Sequence, residues 1–178
     1  MNQVGEDVES LSKKGFSQLE SGLFEDSIET FSLCLQMELE QAGLYSGRAR
    51  ARFQLKDWAS AASDFDRARQ LDPNSLEDWV GFGMSLAMGY KIYEAIDVFE
   101  TLLTQHPNYV QGHVQLGALY FKIGAIAQGR REMEKACASR PTLAQRQMVE
   151  QILKEQNQLD KRRYYRPDFE ELRRERST

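Results

Sequence analysis

The sequence predicts an all-α chain built from four copies of one helical hairpin and closed by a further amphipathic helix. Three observations predict it: a period of 34 residues, helical spacing of apolar residues within each period, and proline at the ends of three of the four periods. Gly15, Ala49, Gly83 and Gly117 stand 34 apart, as do Ser27, Ala61, Ala95 and Gly129, so a small residue returns at two fixed points of each unit. Phe31, Phe65, Phe99 and Met133 form a column of large apolar wedges, and Cys34, Ala68, Leu102 and Ala136 a smaller one three residues on. No insertion interrupts the register.

The units run over about 8–41, 42–75, 76–109 and 110–141. Leu11, Tyr45, Trp79 and His113 open them; Leu39, Pro73, Pro107 and Pro141 close them, and proline stops a helix because it lacks an amide hydrogen and clashes with the preceding turn. In the third unit Trp79, Phe82, Gly83 and Leu86, then Ala95, Ile96, Phe99, Leu102 and Leu103, mark two helices around a turn at 89–93. Ser75 with Asp78 three residues later caps the opening helix of that unit. After Pro141, Thr142 with Gln145 reads as a capping box, and Val149, Ile152, Leu153 and Leu159 make an apolar stripe on a helix assigned to 142–166. Arg166-Pro167 ends it, since the residue before proline is pushed out of the helical region. Residues 167–178 are a short tail in which Asp168 and Glu171 can start one last helical turn.

The second unit, Leu44-Tyr45-Ser46-Gly47-Arg48-Ala49 through Phe65-Asp66-Arg67-Ala68 to Leu71-Asp72-Pro73-Asn74, resembles the tetratricopeptide repeat, and the resemblance extends over residues 8 to 141. Unit one departs from the pattern at Leu39, and unit four at Gly129 and Met133. The resemblance implies a right-handed α-solenoid of eight antiparallel helices whose first helices line a concave side. The helix at 142–166 then covers the apolar end of the stack.

Composition narrows the function. With 23 Lys and Arg against 27 Asp and Glu the chain carries −4, which does not suit a body that grips nucleic acid. Cys34 and Cys137 are far apart, show no CxxC spacing and sit in apolar company, which predicts buried thiols in a reducing compartment. The N-terminus lacks the basic and apolar regions of a secretion signal, and the most apolar charge-free run, Trp79 to Tyr90, is too short to cross a bilayer. A cytoplasmic protein without a transmembrane segment is expected.

No catalytic or metal constellation is legible, and no enzyme activity or cofactor is expected. Gly81-Phe82-Gly83 with Gly89 imitates a phosphate loop, but it lies in a helix, follows no strand and has the wrong spacing for a dinucleotide site. His106 sits in a turn between units and His113 in the column of Trp79, so His113 is expected to pack with one nitrogen bonded. Acidic pairs such as Glu94 and Asp97 suit a solvated helix face.

Binding remains. On the first helix of each unit, offsets of three, seven and ten from the start fall within about 80° on a helix of 3.6 residues per turn. With Met88 added, they give an apolar belt of Phe16, Leu19, Phe53, Val80, Met84, Met88, Val114 and Phe121, crossed by Arg50 and Glu77. This belt is the candidate groove for an apolar or amphipathic segment of another protein, with Arg50 fixing its orientation. Leu19, Phe53 and Phe121, late in their helices, can instead be half-buried between units. Repeat proteins that hold acidic chaperone C-termini use Lys and Asn, then Asn, then Lys and Arg; here Ser12 and Phe16, Gly47, and Glu77 with Gly81 stand at those places, so no such clamp is expected. A cytoplasmic chaperone for export substrates and a self-assembling scaffold are the alternatives. From Lys161 onward the tail carries seven basic and four acidic residues, and Lys161, Arg162, Arg163 and Arg166 beside Tyr164 and Tyr165 form a secondary basic site. Neither nucleic acid nor lipid is expected there, because cations also suit a helix C-terminus.

Overall fold

The computed structural model describes residues 2–37 and 40–164, with side chains over 8–37 and 40–161. Among these residues the chain is all helical: α1 (Asn2–Glu20), α2 (Phe24–Gln36), α3 (Ala42–Gln54), α4 (Trp58–Leu71), α5 (Leu76–Met88), α6 (Ile92–Gln105), α7 (Val110–Lys122), α8 (Ile126–Ala138) and α9 (Leu143–Tyr164). Each helix packs on the next, and the odd-numbered helices also touch one another, α1 on α3, α3 on α5, α5 on α7 and α7 on α9. The even-numbered helices make no such lateral contact. The odd row is therefore the tighter, concave side of the stack and the even row the convex side.

The period now has a steric reason. Phe31, Phe65, Phe99 and Met133 are all buried, and each points from an even helix into the odd row. A Cβ built on Gly15 would lie 2.9 Å from the Phe31 ring, and one on Gly47 only 2.4 Å from it, so this wedge sits between the odd helix of its own unit and that of the next. Phe65 fills the space over Gly81 in the same way, at 2.6 Å, and Phe99 that over Gly83, at 2.6 Å. Gly81 and Gly83 are thus seats for two successive wedges. The turn inside each hairpin repeats as well: Gly22, Lys56, Tyr90 and Gly124, each 34 apart, all have positive φ, at 76°, 62°, 65° and 81°.

Polar pairs fix the register of individual hairpins. Thr30 donates to Gln18 at 2.7 Å in the first; in the second, buried Asp64 accepts from Arg52 at 2.7 Å and from Arg48 at 2.8 and 2.9 Å. The corresponding pair in the third hairpin is apolar, Leu86 and Val98, and in the fourth it is Tyr120 and Glu132. Between units, the Ser46 hydroxyl donates to Asp78 at 2.6 Å, and the Arg69 guanidinium lies over Trp79 at 4.5 Å and Phe82 at 4.8 Å.

Both expected caps form. The Ser75 hydroxyl accepts from the Asp78 amide at 3.4 Å, while the Asp78 carboxylate turns away to Ser46. Thr142 and Gln145 exchange reciprocal bonds, 2.9 Å from the Thr142 amide and 3.2 Å from the Gln145 amide, and start α9. Val149 is fully buried with Val110, Val114, Met133 and Ala136, and Ile152 and Leu153 pack beside it. Leu159 departs from expectation: it is exposed, because α9 runs past the end of α7 and has nothing there to cover it. Cys137 is a second correction. Cys34 is buried, but Cys137 lies on the exposed face of α8. Leu39 and the tail from 165 lie outside the described residues, as do the side chains of Arg162 and Arg163.

Candidate functional site

In the N-terminal half of the odd row, α1, α3 and α5 border a cleft of about 420 Å³. Its apolar lining comes from Leu19, Phe24, Phe53, Phe65 and Met84, and its exposed polar groups are Glu20, Arg50 and Gln54. Glycine makes the depth: at Gly81 no side chain stands between the cleft and Phe65. Phe53 is held edge-on against Trp58, ring centroids 4.9 Å apart at 70°, so its orientation does not depend on an occupant. Neither Arg50 nor Glu20 has an ion-pair partner among the described residues. One cation and one anion therefore stand at the mouth of an apolar cleft.

Of the eight apolar residues of the expected belt and the Arg50 that crosses it, the structure brings Leu19, Arg50, Phe53 and Met84 together here. Val80 is half-buried against the core of the third unit, and Met88 is exposed outside the cleft. Phe16 stacks on Phe31 at 4.9 Å and serves the first unit's core. Phe121 lies against Gly129, where a Cβ would be 2.4 Å from its ring. Val114 must be removed from the belt: it is 1% exposed, because α9 lies over α7 and places Val149 against it. Phe24 was missed. It belongs to a further 34-residue column, Phe24, Trp58, Ile92 and Ile126, the first residue of every even helix, and that column was present in the sequence to be found.

The places of the carboxylate clamp are occupied by packing. Phe16 is committed to Phe31, and at Gly47 the Phe31 ring leaves no room even for a Cβ, so an asparagine there has nowhere to go. Of the secondary basic site, Lys161 is exposed; Arg166 and the side chains of Arg162 and Arg163 lie outside the described residues.

A second crevice, about 360 Å³, lies between α6, α7 and α8 and is richer in ionisable groups. His113 is bonded at both nitrogens, Nδ1 to Glu132 at 2.7 Å and Nε2 to the Pro107 carbonyl at 2.8 Å, one bond more than expected. Glu132 also holds Lys135 at 2.7 Å. Tyr120 donates to Glu100, and that hydrogen bond, aided by burial, pushes the phenol up to about 12. Burial likewise raises Tyr109 and the Cys34 thiol, which keeps both neutral. Each polar group in the crevice is spent on another, so the cluster ties helices together and leaves no unengaged base or nucleophile. Among the described residues no three His, Cys, Asp or Glu side chains gather to hold a metal, and no helix is long and apolar enough to cross a membrane.

Comparison with known proteins agrees with this architecture. The sequence model of the Tetratricopeptide repeat family matches residues 42–75. Sperm-associated antigen 1 of Mus musculus is 28% identical over 95 residues, 53% of this chain but 10% of that protein, so the chain spans about a tenth of the curated relative it matches. Among solved structures, MamA superposes with a TM-score of 0.70 at 21% identity, covering 74% of this chain and 77% of that one. YrrB, described as a repeat protein with an unusual peptide-binding site, gives 0.71 at 19% identity over 81% and 74%. The second repeat domain of human RPAP3, solved with an HSP70 peptide, gives 0.60 at 23% identity over 65% and 97%. At these identities the likeness is one of fold, and the fold is generally a non-enzymatic one for protein–protein interaction. One unit of the chain thus matches the sequence model of the tetratricopeptide repeat, and the stack has the fold of solved tetratricopeptide-repeat structures.

Proposed function

We propose that the chain is a non-enzymatic adaptor that holds an apolar or amphipathic segment of a partner protein in the cleft between α1, α3 and α5, in the cytoplasm. The observation that carries the reading is the cleft itself: Leu19, Phe24, Phe53 and Met84 stay half-open to solvent over the buried Phe65 wedge, with Arg50, which has no ion-pair partner among the described residues, at the mouth. Binding sites for peptide segments have this composition, an apolar floor with a few polar groups that fix direction. Met84 adds an adaptable contact surface. Two free thiols, one of them exposed, favour a reducing compartment. The lack of room at Gly47 speaks against a clamp for acidic C-termini, even though RPAP3, which was solved with such peptides, shares the fold.

The test compares wild type with Arg50→Glu/Met84→Gln, after circular dichroism has shown equal helicity, by mass spectrometry of proteins that co-purify from native lysate. A partner retained by wild type and lost by the variant is expected; partners unchanged between the two would reject the cleft. Phe53→Glu is the poorer probe, because Phe53 also packs on Trp58 and its loss unsettles the second hairpin.

A further inference from the structure

We infer that the cleft receives the tail segment Pro167–Leu172 of a second copy of this chain, so that copies join tail to cleft. This rests on the cleft being a segment-binding site. Residues 165–178 lie outside the described residues, but their sequence is known: Pro167-Asp168-Phe169-Glu170-Glu171-Leu172, followed by Arg173 and Arg174. Two apolar side chains three residues apart are surrounded by three carboxylates and followed by two cations. The cleft offers the complement, an apolar floor with Arg50 and Glu20 at its mouth, neither ion-paired among the described residues. Phe169 and Leu172 suit Phe53 and Met84, the carboxylates suit Arg50, and the cations suit Glu20.

Geometry selects a second copy over the chain's own cleft. The α9 helix lies beside α7 in repeat register, since Val149 packs on Val114, and Arg130, near the start of α8, reaches Asn157 at 2.7 Å and Asp160 at 3.3 Å. In that register Ile152 is level with Met84, two units of 34 residues earlier, and Tyr164 stands twelve residues further along, about 18 Å at 1.5 Å per residue. Two helix spacings of about 8–10 Å separate α9 from α5, which puts Tyr164 roughly 25 Å from Met84. Phe169 is five residues beyond Tyr164, at most about 18 Å of fully stretched chain. Within its own copy only a fully taut tail brings Phe169 to the edge of the cleft at Met84, and Phe53, one helix further, stays beyond its reach; the tail of a second copy meets no such limit.

The experiment is molar mass in solution as a function of concentration for the full chain, from micromolar upward, with two variants: Phe169→Glu/Leu172→Glu in the tail and Arg50→Glu/Met84→Gln in the cleft. Wild type is expected to rise from 20.5 kDa to at least twice that mass. Each variant alone is expected to stay at the lower mass, and an equimolar mixture of the two, which restores one intact tail and one intact cleft, to recover association. A wild type that stays monomeric, or variants that associate as wild type does, would overturn the proposal. So would a monomer whose cleft is protected from hydrogen exchange by its own tail. If wild type is monomeric and the cleft variant still loses a lysate partner, the tail proposal fails alone; if both results are negative, the cleft reading fails with it.

Discussion

Tyr90 occupies the left-handed turn position that Gly22 and Gly124 fill in other units, and its side chain is 88% exposed. An L-residue there costs about 1–2 kcal/mol relative to glycine, and nothing in the folded packing offsets it. Tyr90→Gly should therefore raise stability by about 1 kcal/mol, read as a higher urea midpoint with unchanged slope. Tyr120 gives a prediction in pH. Its folded value is raised, chiefly by the hydrogen bond to Glu100, from 10.0 to about 12, so the neutral phenol is favoured by the fold. Stability from this contact is present below pH 10 and lost as pH rises through about 12. In a tyrosinate absorbance titration the Tyr120 phenol should ionise at about 12, and Tyr120→Phe should remove that step and flatten the alkaline decline in stability.

At the scale of one element, α9 is held by Val149, the only member of its stripe that is fully buried. Val149→Asp buries a charge with no partner, a cost of several kcal/mol, and should release α9 from α7. The expected result is fast hydrogen exchange across Leu143–Tyr164 with α1 to α6 unchanged; protection retained in α9 would contradict the role assigned to Val149. Thr142→Ala removes half of the capping box and should cost about 1 kcal/mol. The start of α9, its cap and the burial of Val149 were legible in the sequence, because capping and apolar periodicity are local properties; the exposure of Leu159 was not. Nor was the burial of Val114. It follows from a helix that returns over α7, and counting offsets along one helix carries no information about what a later helix covers.

For the molecule as a whole, the wedge-and-seat arrangement couples neighbouring units. Gly83→Val places a side chain where the Phe99 ring already lies, and overpacking of this kind costs about 1–3 kcal/mol. Because each unit contacts only its neighbours, the damage should appear as a broadened melt rather than a uniform shift. The fold was legible because the 34-residue period is itself the packing rule. Which four belt residues share a cleft was not, since that depends on Gly81 exposing Phe65 and on Phe24 arriving from α2. The central claim is that this cleft is where a partner sits. The most direct measurement places a benzophenone side chain at Gln54, which is exposed at the mouth of the cleft, irradiates native lysate, and identifies the adduct by mass spectrometry. The account predicts a covalent adduct through an apolar segment, absent when the same group replaces Thr104 on the convex side. Adducts of equal yield at both positions, or at Thr104 alone, would contradict it.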